Sequence, residues 1–166
     1  RAFDLSICRI EPENNIELIL NAYRNVNNIE LVIVGNWNYS AYGKRLKSLF
    51  SNHDTIHLID PIYDKPTLRL LRLKSRTYVH GHSAGGTNPS LVEAMSCGCA
   101  IIAFHVTYNR HTTKELAWYF SDENSLQTII LEKTATEIEY LSATMKKIAD
   151  ESYTWNIICE KYRWII

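Results

Sequence analysis

The chain is poor in the residues that mark special classes of protein. Four cysteines in 166 residues, at positions 8, 97, 99 and 159, are too few to staple a scaffold of this length. Cys97-Gly98-Cys99 lacks zinc-ribbon spacing, so reduced and mostly buried thiols in a cytosolic protein are the expectation. Six glycines and four prolines form no period or tract, which excludes collagen-like and low-complexity segments. An excess of either charge is also missing. Lys plus Arg and Asp plus Glu number 18 each, so no global field recruits nucleic acid or a membrane. No apolar run approaches the roughly 20 residues that span a bilayer. Peripheral association with the inner face of a membrane is the most that is expected. No signal peptide is evident, and the chain opens on Arg1, almost directly into a strand pattern. That start leads us to expect a fragment of a longer protein.

What is present is ordinary globular material, 46% hydrophobic and 22% charged, enough for one domain over residues 1–166 with a sizeable core. Phe3 to Ile7 alternates as a first strand and feeds a loop at Cys8-Arg9-Ile10. After Glu11-Pro12-Glu13-Asn14, residues Ile16, Ile19, Leu20 and Tyr23 carry an apolar helical face. Glu30 to Gly35 is a near-continuous apolar run, typical of a parallel strand covered on both sides. A helix is predicted over Ala41–Phe50 with Leu46, Leu49 and Phe50 inward, and a strand over Ile56–Ile59. Thr67 to Lys74 reads as a short helix rich in Leu and Arg. Later come an edge strand at Trp118–Phe120 and helices over 125–132, 136–150 and 155–165. Strands alternating with helices predict a doubly wound, Rossmann-like parallel α/β sheet. Ligands of such a sheet bind at the carboxyl ends of its strands.

The stretch that organises the rest is Thr77 to Phe104, read as strand, glycine-bearing loop, helix and strand. Gly81, Gly85 and Gly86 allow backbone conformations and close approaches that side chains forbid. Asn88 is a good N-cap, Pro89 fits the first turn, and Gly98 is placed to stop the helix. Unpaired amides at such a helix start, with the dipole, offer a seat for a phosphate over Gly86-Thr87-Asn88. Within the helix, Glu93 has two readings. A buried carboxylate there would meet a pair of ligand hydroxyls; alternatively it lies on the polar side with Ser90 and Cys97.

Other candidates line the predicted strand ends. Arg9 suits a diphosphate through its fork of donors, or pairs with Glu11 or Glu13 at the surface. Tyr63 stacks on a base or packs over Pro61. His80 and His82 stand two residues apart, but no acidic third ligand lies near, and metal ligation is not expected. Arg110, in a segment read as loop, faces the pocket or caps the next helix through Thr112. Gly35 to Lys44 lacks P-loop spacing, and Arg45 stands where Ser or Thr is needed. No dinucleotide fingerprint follows the first strand.

The segment Asn88–Gly98 resembles the donor motif of family 4 retaining GT-B glycosyltransferases. In that motif a glutamate, seven residues and a second glutamate precede Ala-Met and a small-Cys-Gly turn. Here the second glutamate is Glu93 in LVEAMSCG, and the first would fall at Gly85. The wording HGHSAGGTNPSLVEAM is close to a subgroup that includes bacterial rhamnosyltransferases. The resemblance implies the C-terminal half of a GT-B enzyme that binds a nucleotide-diphosphate sugar and transfers the sugar, with retention, without a metal or other cofactor. It makes Glu93 the ribose ligand and Arg9 the group that neutralises the departing diphosphate. Glu13 matches the family pattern, while Asn14 stands where a lysine is usual and would supply hydrogen bonds only. Ile62 and Tyr63 fall in the loop that contacts the base, Gly35 at a strand end, and His82, Gly85, Gly86, Thr87 and Asn88 around the sugar and phosphates. A glycan or lipid-linked acceptor would be met through an N-terminal domain outside this chain. Two rivals remain: a nucleotide-sugar 2-epimerase, and a non-catalytic nucleotide-binding or interaction module, the latter motivated by the two departures at Gly85 and Asn14.

Overall fold

The computed structural model describes residues 3–163. Its strands are β1 (Phe3–Ile7), β2 (Glu30–Val34), β3 (Ile56–Ile59), β4 (Thr77–His80), β5 (Ala100–Phe104) and β6 (Trp118–Phe120). They form one parallel sheet in the order β3-β2-β1-β4-β5-β6. The helices are α1 (Ile16–Tyr23), α2 (Ala41–Phe50), α3 (Lys65–Lys74), α4 (Pro89–Ser96), α5 (Thr107–Thr112), α6 (Glu123–Glu132), α7 (Ala135–Ser152) and α8 (Trp155–Arg163). A short 3-10 turn, Pro12–Asn14, precedes α1. The chain winds outward from β1 to β3, then crosses back to β4 and winds the other way. Between β1 and β4 the connections therefore part to opposite faces, and a crevice opens at the carboxyl ends of the strands.

Two cores follow from a sheet that is apolar on both faces. On one, Ile19, Leu20 and Tyr23 of α1, Leu46 and Phe50 of α2 and Leu126 and Ile130 of α6 pack on Leu31 and Ile33. On the other, Leu91, Ala94 and Met95 of α4 and Leu141, Met145 and Ile148 of α7 pack on Leu5, Tyr78 and Ile101. Five helix starts, those of α2, α3, α4, α6 and α7, are capped by side chains. Ser40 accepts from the Gly43 amide, Asp64 from Thr67 and Asn88 from Ser90, and capping boxes open α6 and α7. After α4, Gly98 turns the chain at φ 68°, a left-handed conformation that favours glycine.

Several expectations need correction. Leu49 is exposed, because the buried stripe of α2 is Gly43, Leu46 and Phe50 and Leu49 lies roughly 90° around the axis from it. Residues 107–112, read as loop, form α5, a six-residue helix whose β-branched ends and lack of a capping side chain hid it. The alternation in β1 does not mark a wet face, since Asp4 and Ser6 are both buried. Residues 164 and 165 of the expected terminal helix lie outside the described residues.

Asp4 is satisfied by four donors. Tyr23 Oη donates to it at 2.7 Å, Thr77 Oγ1 at 2.7 Å, and Arg76 forks onto it through Nε at 2.9 Å and Nη2 at 2.6 Å. Arg76 also donates to the Ile130 carbonyl at 3.3 Å. One carboxylate thus ties β1 to α1, to the start of β4 and, through Arg76, to α6. Removing one partner of a buried, hydrogen-bonded ion pair costs about 3–5 kcal/mol, because the other charge is left uncompensated. Asp4→Ala is expected to lose that much in urea unfolding; a midpoint equal to that of the unsubstituted chain would show the network to be energetically idle.

Candidate functional site

A cleft of about 770 Å³ opens at the carboxyl ends of β1 to β4, where the topology leads one to look for it. Its floor is close-packed. Gly35 has no room for a side chain, since a Cβ there would lie 2.5 Å from Ile10 Cδ1 and 2.6 Å from the Cys8 carbonyl oxygen. Beside it, Ser90 Oγ donates to the Ile7 carbonyl at 2.9 Å and meets Tyr78 Oη at 2.6 Å. This joins the first turn of α4 to the end of β1. Burial pushes the Tyr78 phenol well up and the Cys8 thiol to about 12, so both stay protonated and neither serves as a nucleophile near neutral pH.

One wall is built from the 3-10 turn and the segment after β4. Asn14 Nδ2 donates to the Arg9 carbonyl at 2.8 Å, which turns Oδ1 toward His82 Nδ1, also at 2.8 Å. Nδ1 of His82 is therefore the donor, and its Nε2 carries the lone pair when the ring is neutral. Gly81 is needed for this contact: a Cβ there would lie 2.1 Å from the Asn14 carbonyl oxygen. Arg9 stands at the rim, its side chain 78% exposed, with Nη2 only 3.6 Å from Glu13. Its charge is loosely held and available.

Deeper in the cleft, His80 is 4% exposed, and its Nε2 has no hydrogen-bond partner among the described residues. Burial, reinforced by the neighbouring His82 ring, brings its pKa down to about 3, so the imidazole is neutral. On the opposite wall Glu93 projects from α4, 59% exposed, and accepts from Arg72 Nη2 at 2.6 Å. The exposed carboxylate answers the question its neighbours raised: it lies on the polar side of α4, and that side faces the cleft.

Of the residues singled out in the sequence, Arg9, Asn14, Gly35, Ile62, Tyr63, His82, Asn88 and Glu93 come together on this one cavity. Tyr63, 86% exposed, lines the cleft beside Pro61 and Ile62. Gly85, Gly86 and Thr87 lie outside the lining, on the exposed loop that leads into α4. The amide seat at the helix start is also narrower than expected. Pro89 has no N–H, Ser90 N donates to the Asn88 side chain, and Leu91 N to the Asn88 carbonyl. Arg110 neither faces the cleft nor caps a helix through Thr112. It bonds Glu115 at 2.9 Å, touches His105 Nε2 at 2.8 Å and stacks over Tyr119. Sequence reasoning missed Arg72, whose signal was its position one turn after Leu68, a cation on the apolar stripe of α3. Among the described residues no group of three or more His, Cys, Asp or Glu is gathered to hold a metal ion. No helix of the described residues is long and apolar enough to cross a membrane.

A six-stranded parallel sheet in this order, with its cleft at the reversal of winding, is the Rossmann-like fold of GT-B C-terminal domains. The model of the family Glycosyl transferases group 1 matches residues 2–136, and the chain belongs to that family. No curated protein matches the chain. Among solved structures, sucrose-phosphate synthase from Thermosynechococcus elongatus is 19% identical with a TM-score of 0.83, over 99% of this chain and 45% of that one. The pneumococcal O-GlcNAc transferase GtfA, in complex with UDP and GlcNAc, is 17% identical with a TM-score of 0.73, over 98% and 34%. The C-terminal domain of LpcC, a glycosyl transferase group 1 family protein from Francisella tularensis, is 13% identical with a TM-score of 0.73, over 92% and 87%. The chain thus spans less than half the length of the first two.

The neutral, buried His80 has a consequence for stability. Its pKa falls from an ordinary 6.5 to about 3 on folding, so between those values the unfolded chain binds a proton that the native one does not. Stability is then full above pH 6.5 and is lost as pH falls toward 3. Thermal melting is expected to decline between pH 6.5 and 5, above the range where carboxylates titrate, and His80→Asn to flatten that decline. An identical slope in the variant would contradict the assignment.

Proposed function

We propose that this chain is the donor-binding half of a retaining glycosyltransferase of family 4, of the rhamnosyltransferase-like subgroup. Its ligand is a nucleotide-diphosphate sugar. The observation that carries the reading is the pairing, across one cleft of a group 1 family chain, of a solvent-facing carboxylate, Glu93, with a loosely held guanidinium, Arg9. Glu93 accepts hydrogen bonds from the ribose. Ile62 and Tyr63 meet the base at the mouth, and the diphosphate runs from Asn88 toward Arg9. GtfA, with a similar fold over this chain, is described in complex with UDP and GlcNAc, which favours a nucleotide as the ligand.

Sugar transfer breaks the bond between the anomeric carbon and the diphosphate oxygen, and the electron pair leaves with the diphosphate. The protein's share of the work is to orient the donor and to meet that growing charge. Arg9 does so as a point of fixed positive charge. Asn14 and His82, held to each other, present polar groups to the sugar without adding a second permanent cation. The reaction proceeds without a metal. The acceptor, a glycan or a lipid-linked sugar, is bound by a second domain outside this chain, and the chain alone binds nucleotide while transferring little or no sugar.

Calorimetric titration of the chain with UDP, GDP and dTDP is expected to detect binding of at least one. Glu93→Ala should weaken it roughly 10- to 100-fold, the worth of hydrogen bonds to a charged group. Indifference to all three nucleotides, or binding that ignores Glu93→Ala, would favour a non-catalytic interaction module.

A further inference from the structure

Arg72 is out of place by the usual rules for charge. Its side chain is 6% exposed, on a helix whose neighbouring positions Leu68 and Leu71 pack toward the core. Of the five N–H donors a guanidinium carries, the protein engages Nη2, which reaches Glu93 Oε2 at 2.6 Å. Nε is shut off from solvent and has no partner among the described residues. The backbone beneath it is fixed, since the Arg72 carbonyl accepts from Ser75 Oγ at 2.9 Å and from Cys99 Sγ at 3.2 Å. A buried cation with donors to spare is costly, and a hydrophobic residue of similar volume would serve stability as well or better. The pair is also lopsided, because its carboxylate partner is 59% exposed and stands in the cleft.

That asymmetry has a use. A glutamate on an exposed helix face samples several rotamers, and ordering it on ligand binding costs entropy. Arg72 Nη2 holds Oε2, which leaves Oε1 able to accept from a ligand. We infer that Arg72 is a positioning residue of the nucleotide site: it sets the Glu93 carboxylate to accept the pentose hydroxyl, and so governs discrimination between a nucleotide and its 3′-deoxy analogue. The inference rests on the reading of the cleft as a nucleotide site.

The test is calorimetry on the full chain with UDP, GDP and dTDP, and with the 3′-deoxy counterpart of whichever binds. Unsubstituted protein is expected to prefer the hydroxylated ligand by about tenfold, the worth of a charge-assisted hydrogen bond. In Arg72→Gln that preference should fall to within about twofold, while affinity for the 3′-deoxy ligand holds. Glu93→Gln should behave alike, and the double variant no worse than either, since the two residues act through one contact. Should Arg72→Gln fail to fold, Arg72→Lys carries the same test, since it keeps the charge and loses the planar fork. A preference undiminished in the Arg72 variant overturns the inference and leaves the nucleotide reading intact. Equal weakening toward both ligands makes Arg72 merely structural and also overturns it. If the unsubstituted chain binds no nucleotide, the reading of the cleft fails and the inference falls with it.

Discussion

The fold hangs on the carboxylate of Asp4. It sits at the amino end of the central strand, wholly buried, where a charge survives only if donors replace the water it has lost. Tyr23 supplies one from α1, and the adjacent Arg76 and Thr77 supply the others from the start of β4. Burial, with the Asp4 carboxylate beside it, drives the Tyr23 phenol well above its ordinary range, so it remains a donor at any physiological pH. The network clamps β1 to β4 at their amino ends, and at the carboxyl ends the connections leave for opposite faces of the sheet. The crevice opens at those carboxyl ends.

Two guanidinium–carboxylate pairs therefore divide the labour of this domain. In Arg76–Asp4 the acid is fully buried and the base nearly so, and further hydrogen bonds complete the set, as a structural pair requires. In Arg72–Glu93 the base is buried and the acid faces solvent, with donors left over. The first arrangement closes on itself. The second points outward. Between them lies a tightly packed floor, where Gly35 and Gly81 have no space for a β-carbon and Ser90 ties α4 to the sheet. A cleft on such a floor has little freedom to shift.

Most elements could be read from the chain because the signals that define them are local. The apolar run Glu30–Val34, the spacing of Ile16, Ile19, Leu20 and Tyr23, the Asn88-Pro89 cap and the Gly98 stop each act within a few residues. The failures fall where a local rule met a distant partner. Leu49 has the chemistry of a core residue but not the angle. The helix at 107–112 owes its stability to contacts made by Asn109, whose side chain donates to the carbonyls of His82 and Phe104, 27 and 5 residues away. Arg110 has two readings from its neighbours in sequence, and its contacts with Glu115 and Tyr119 match neither.

The candidate site divides along the same line. That a carboxylate would stand in the helix after β4, and that Arg9 and the loops after β2 and β3 would share a rim, follows from alternation of strands and helices plus the rule for where doubly wound sheets open. Those are statements about order along the chain, and residue order is all a sequence holds. Which way Glu93 turns, what grips it from beneath, how Asn14 and His82 clasp one another, and why Gly85 to Thr87 remain on the outer loop depend on side chains 21 to 68 positions apart meeting in space. Such meetings are set by packing around a shared core, and no pattern within a single segment encodes them.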